Sequence, residues 1–216
     1  MEAEKGKLIR SLFFPVIFIF IIWAVKVVEI ILNTSFADYG LHPLQWKGLW
    51  GILTFPLIHS GWNHLFANTV PLFILSAFLF YSYREIAWKV LILIYLVSGL
   101  WIWVFAGYGS VHIGASGVVY GLAAFLFISG ILRRDTSLMA VTLLVVFLYG
   151  GLIWGIFPQL FPKERISWEG HLMGLLAGTV LAFYFRKAGP QRAKYDWEEE
   201  EDEDPDPYSD DQSTEM

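Results

Sequence analysis

The chain has 216 residues, of which 56% are hydrophobic and only 16% charged, with a formal net charge of −5. Soluble domains carry about 45–50% apolar and about 25% charged residues, so composition excludes a freely soluble fold. Cysteine is absent, which excludes disulfides, thiolate metal sites and a cysteine nucleophile.

Residues 1–7 read as a short N-terminal segment on the cytoplasmic side. The first apolar run, Leu8 to Leu32, is longer than the ~7–15 apolar residues of a signal peptide, and no small-residue cleavage site follows it. It is read as a retained membrane span. Crossing a ~30 Å hydrocarbon core takes about 20 mainly apolar residues of helix. Further runs of this kind are Trp62 to Tyr81, Ile86 to Phe105, Ser116 to Leu132, Leu138 to Phe157 and Trp168 to Phe185, making six in all. The connections are short except for Asn33 to Gly61, whose Trp46 and Trp50 among glycines and prolines suit the outer interface. The expected fold is an all-α membrane protein, a bundle of six transmembrane helices over residues 8–188. Residues 189–216 form a tail dominated by the acidic run Glu198 to Asp204, expected to be disordered and cytoplasmic.

Lysine and arginine set the orientation. With the N-terminus inside, the cytoplasmic side collects Lys5, Lys7, Arg10, Arg84, Lys89, Arg133, Arg134, Arg186, Lys187, Arg192 and Lys194. The opposite side holds only Lys47, Lys163 and Arg165, and Lys26 falls within the first span. The asymmetry predicts both termini inside. The second, fourth and sixth spans then all run inward from the outer face.

Polar groups at membrane depth are expensive and mark functional candidates. Three clusters qualify, each at the outer start of an inward-running span. The first is His59-Ser-Gly-Trp-Asn-His64-Leu-Phe-Ala-Asn68, in which His64 and Asn68 share a helix face. The second is Gly114-Ala-Ser116-Gly117-Val-Val-Tyr120-Gly121, and the third Gly170-His171-Leu-Met-Gly174-Leu-Leu-Ala-Gly178. From Gly117 to Leu132 the helix is ~24 Å long, which leaves Ser116 several Å below the outer surface if Arg133 marks the inner interface. Gly117 and Gly121 form one small-residue ridge; Gly170, Gly174 and Gly178 form another. Such ridges let membrane helices approach backbone to backbone, bringing Ser116 within reach of His171. A neutral histidine is suited to take the serine proton near pH 7. Glu169 is the nearby carboxylate but points from a different part of the helix, so a dyad is the simpler arrangement. Tyr120, one turn beyond Ser116, is placed to pack on the imidazole. The Ser116 N–H, at the positive end of its helix, offers an oxyanion donor, and His64 and Asn68 add side-chain donors.

These motifs resemble the rhomboid proteases, which carry a histidine-x-x-x-asparagine pair in the second helix, a glycine-x-serine-glycine opening the fourth and a histidine followed by small residues in the sixth. The resemblance covers residues 8 to 188. It implies an intramembrane serine endopeptidase with Ser116 and His171 as catalytic dyad, an oxyanion site of His64, Asn68 and the Ser116 amide, and Tyr120 stacked on His171. It also implies substrates that are single-span membrane proteins within the lipid bilayer, entering beside the fifth span under the loop Phe157 to Pro162. No metal, cofactor or nucleic acid is expected. The expected location is the plasma membrane of a prokaryote, with the active site facing outward. Gly114 and Gly117 support the serine. His59 either lines a water path or caps the second span. Departures are the absence of the family's Trp-Arg pair in the first long loop, and Gly170 where an alanine is frequent before the histidine.

His112 is read as a loop or interface residue and His42 as having no role. Two rival readings are a metallohydrolase using His59, His64 and His171, and a non-catalytic relative that binds client helices. The first lacks ligand spacing such as histidine-glutamate-x-x-histidine. The second is usually marked by loss of the serine or histidine, and both are present.

Overall fold

The computed structural model of the chain describes residues 2–148 and 167–189. Among these residues the protein is all-helical: α1 (Glu2–Ile31), α2 (Gly48–Thr54), α3 (Trp62–Ser82), α4 (Ala87–Phe105), α5 (Ser116–Arg133), α6 (Thr136–Leu148) and α7 (Trp168–Tyr184), with short 3-10 turns at Ala37–Tyr39 and Phe55–Leu57. An isolated antiparallel bridge pairs Leu41 with His112. Four of the helices, α1, α3, α4 and α5, are long and apolar enough to cross a membrane. The predicted sixth span is the 17-residue α7. The second half of the fifth span, the loop Phe157 to Pro162 and the acidic tail lie outside the described residues.

Two local features differ from the predicted spans. The first helix starts at Glu2, not Leu8, because the polar stretch Glu-Ala-Glu-Lys favours helix and extends the apolar run. The long first connection contains α2, an apolar helix of seven residues that is too short to span.

Helix α5 is the central post, buried nearly all round through Val118, Val119, Leu122, Phe125 and Leu126. α7 packs along it most extensively, with α4, α3 and α6 around the pair. The outer surfaces carry large exposed apolar side chains, among them Phe13, Phe20 and Phe147. Such a surface suits lipid and not water.

α5 and α7 run parallel. Gly170 and Gly174 meet Gly117, and one turn later Gly174 and Gly178 meet Gly121, backbone against backbone. At the far end Arg133 donates from Nη2 to the Phe185 carbonyl (2.7 Å) and the Ala188 carbonyl (2.8 Å), and its guanidinium lies over the Tyr83 ring. These bonds fasten the turn from Phe185 to Ala188, which leaves α7, to the end of α5.

α1 runs antiparallel to α3. Glu4 accepts from the Tyr81 hydroxyl at one end and the Trp23 indole donates to Thr69 in the middle. At the other end Lys26 bridges Glu29 (3.0 Å) and the His59 carbonyl (3.0 Å). Glu29, 4% exposed, also accepts from the Phe36 amide, which fixes the loop leaving α1. Removing one partner of a buried pair leaves the other charge without compensation. We expect Glu29→Ala to destabilise the detergent-solubilised protein by about 3–5 kcal/mol, read as a lowered thermal midpoint. A double Glu29→Gln/Lys26→Met variant should recover much of that loss, and an unchanged midpoint for Glu29→Ala would count against the pair.

Candidate active site

The head of α5 is set by a sharp turn. Gly114 has φ +109°, in the region that only glycine adopts freely, and its amide donates to the Phe55 carbonyl at 2.7 Å. The absence of a side chain also admits His64, since a Cβ on Gly114 would stand 2.5 Å from two atoms of that ring. The chain then enters α5 at Ser116, which is half-buried. First-turn amides of a helix have no intrahelical acceptor and sit at the positive end of its dipole.

The ridge contact between α5 and α7 brings His171 to Ser116. His171 Nε2 lies 2.9 Å from Ser116 Oγ. The imidazole is buried and stacked on Tyr120, with ring centroids 4.3 Å apart and planes within 11°. The stack restricts rotation of the imidazole.

The α3 cluster sits beside this pair. Ser60 Oγ is 3.2 Å from His64 Nδ1, which leaves the Nε2 edge of His64 against Gly114. Asn68 is buried and donates one amide N–H to the His64 carbonyl (2.8 Å). A primary amide has a second N–H, so this bond does not exhaust it. His59 packs edge-on against His64, with centroids 5.0 Å apart, and its Nε2 accepts a long bond from the Ala115 amide (3.4 Å). His59 is therefore a buried strut next to the turn that leads into Ser116. Among the described residues, no three His, Cys, Asp or Glu side chains gather closely enough to hold a metal ion, so His59, His64 and His171 do not form the ligand set of the metallohydrolase reading.

Burial, with the nearby His64 next in weight, pushes the His59 pKa from 6.5 down to about 3; the Leu57 carbonyl opposes the shift and Lys26 adds to it. The folded protein keeps this ring neutral while the unfolded chain protonates near 6.5, so His59 contributes stability above that pH which is lost as pH falls toward 3. The loss approaches about 1.4 kcal/mol per pH unit for one such group. We expect melting midpoints measured between pH 7 and pH 4.5 to fall less steeply in His59→Gln, whose amide oxygen can still accept from Ala115. An equal slope in both proteins would exclude His59 as the source.

His112, read as a loop or interface residue, lies in the loop before α5 and is buried, with Nε2 2.9 Å from Ser110 Oγ and Nδ1 2.5 Å from Ser167 Oγ. Burial lowers its pKa, with Glu169 acting in the opposite sense and His42 adding to the shift. No local pattern signals this contact, because Ser167 lies 55 positions away. His42 is half-buried and contacts the Asp38 carbonyl.

Comparison with known proteins identifies the family. The Rhomboid domain family matches residues 47–188. An uncharacterized protein of Mycobacterium tuberculosis is 34% identical over 181 residues, covering 81% of this chain and 74% of that protein, and a Mycobacterium bovis protein matches equally. A Mycobacterium leprae protein is 31% identical over the same length. YdcA of Bacillus subtilis, provisionally named a rhomboid protease, is 28% identical over 143 residues, 62% of this chain and 66% of its own. With an apolar helical bundle built to lie in a bilayer and a family match over most of its length, this chain belongs to the rhomboid family of membrane-embedded proteases.

Proposed function

We propose that the chain is an intramembrane serine endopeptidase that works through a Ser116–His171 dyad and an acyl-enzyme. The observation that carries this reading is the 2.9 Å contact between Ser116 Oγ and His171 Nε2, held by the Tyr120 stack. In the proposed reaction Nε2 takes the hydroxyl proton as Oγ attacks the scissile carbonyl. The oxyanion then faces the Ser116 amide, the free N–H of Asn68 and the Nε2 edge of His64, donors arranged around developing charge. The imidazolium returns its proton to the leaving amine. Water hydrolyses the resulting ester by the same route in reverse, with His171 again as base.

Six spans with both termini inside account for the lysine and arginine distribution, and they place α3, α5 and α7 with their starts at the outer face. Residues 8–188 are then the catalytic core, preceded by a short cytoplasmic segment and followed by the acidic cytoplasmic tail. The substrates are single-span membrane proteins, cut near the outer end of their membrane helix, in the plasma membrane of a prokaryote. The bacterial relatives support that location.

A fluorophosphonate probe tests the nucleophile directly. Detergent-solubilised wild type is expected to be labelled and Ser116→Ala not labelled. Equal labelling of the two would refute the assignment.

A further inference from the structure

The stretch leading into α5 and the residue leading into α7 are joined by one buried side chain. Ser110 Oγ donates its only proton to the Gly107 carbonyl at 2.6 Å, so toward His112 it can only accept. Nε2 of His112 therefore carries the ring proton and donates, and in the neutral ring Nδ1 is the acceptor. The Ser167 hydroxyl, 2.5 Å from Nδ1, is then its donor. Ser167 immediately precedes α7, and its carbonyl accepts the His171 amide at 3.1 Å. On the other side the His112 backbone is fixed by two bonds of 2.9 Å to Leu41, and Ser116 follows four positions later.

Gly170 completes the arrangement. A Cβ there would stand 2.7 Å from Ser167 Oγ, whereas the next neighbour outside Ser167, an Ile102 methyl, is at an ordinary 3.6 Å. The missing side chain at Gly170 thus leaves the room that the Ser167 hydroxyl occupies beside His112.

We propose that His112 is a positioning residue for the Ser116–His171 pair: through the Ser167 hydroxyl it ties the first turn of α7 to the loop that runs into α5. The proposal rests on the reading of Ser116 and His171 as the dyad. His112 touches neither substrate nor the reacting atoms; it sets the distance between the two elements that carry them. Displacements of about 1 Å in such a geometry are costly to rate.

The test is the second-order rate of fluorophosphonate labelling, with melting midpoints measured in parallel. His112→Ala and Ser167→Ala should each slow labelling about tenfold, while the double variant is no slower than either. His112→Asn, whose amide reaches the Nδ1 position, should stay within about twofold of wild type, whereas His112→Gln, which reaches toward Ser110 instead, should resemble His112→Ala. Gly170→Ala should slow labelling to the Ser167→Ala level and add nothing in the Ser167→Ala background. Ser167→Ala, which removes one oxygen, carries the test if His112→Ala fails to fold. Asn and Gln rescuing equally, or Gly170→Ala and Ser167→Ala acting additively, would show His112 to be a space-filler and overturn the proposal. Unaltered labelling of Ser167→Ala would overturn it too, whereas an unlabelled wild type would sink the serine-enzyme reading and the positioning role together.

Discussion

Replacing Ser116 by alanine is expected to reduce cleavage of a single-span substrate in liposomes to the uncatalysed background, and His171→Ala to lower it by about 10³-fold or more. In the proposed mechanism the reason is the 2.9 Å contact: a serine hydroxyl is a weak nucleophile until a base removes its proton, and the imidazole would be a base of no use without the hydroxyl. Two groups that act as a unit are not additive, so the double variant should be no slower than Ser116→Ala. Asn68→Ala should fall between these and wild type, at about 10²-fold, because it removes one oxyanion donor and leaves the dyad in place. Cleavage that persists in Ser116→Ala would end the serine mechanism. Wild-type turnover in Asn68→Ala would remove that residue from the oxyanion site.

Gly174→Ala is expected to lower both turnover and thermal stability. A Cβ at Gly174 would run into the backbone carbonyl of Gly117, and one at Gly178 into that of Gly121. A side chain can swing aside, but backbone inside a helix cannot, so α5 and α7 would have to part. Overpacking of this kind costs about 1–3 kcal/mol, against which alanine regains up to about 1 kcal/mol of helix propensity. The parting would occur one turn from the dyad, so turnover should drop at least about tenfold. Gly117→Ala should be milder, since its Cβ would stand 3.2 Å from the Gly170 carbonyl. Gly61→Ala is the control, because no atom lies within 4 Å of a Cβ there. Wild-type melting and turnover in Gly174→Ala would show that the ridge does not set the helix spacing.

The meeting of Ser116 and His171 was legible in sequence because two independent periodicities converge on it. Lysine and arginine counts led to the expectation that α5 and α7 start at one face, and glycines at every fourth position give those helices complementary faces. Tyr120 followed from helical spacing alone, one turn from Ser116. The Lys26–Glu29 pair was not legible in this way. Lys26 read as an isolated charge within an apolar run, and its value depends on the His59 carbonyl and the Phe36 amide, which only the folded first loop brings near. The Ser110–His112–Ser167 chain escaped for the same reason. Histidine and serine in a loop carry no pattern, and a contact across two helices leaves none. The start of α1 at Glu2 was missed because an apolar run defines where lipid is crossed, not where a helix begins.

Arg133 has a mechanical consequence. With its guanidinium pinning the end of α7 and the glycine ridge and dyad joining the starts, α5 and α7 are fastened at both extremities, like a two-ply beam. Such a beam tilts or shifts as one body and does not splay along its seam. A shift of α6, which leans mainly on α5, would therefore leave the distance between Ser116 and His171 unaltered.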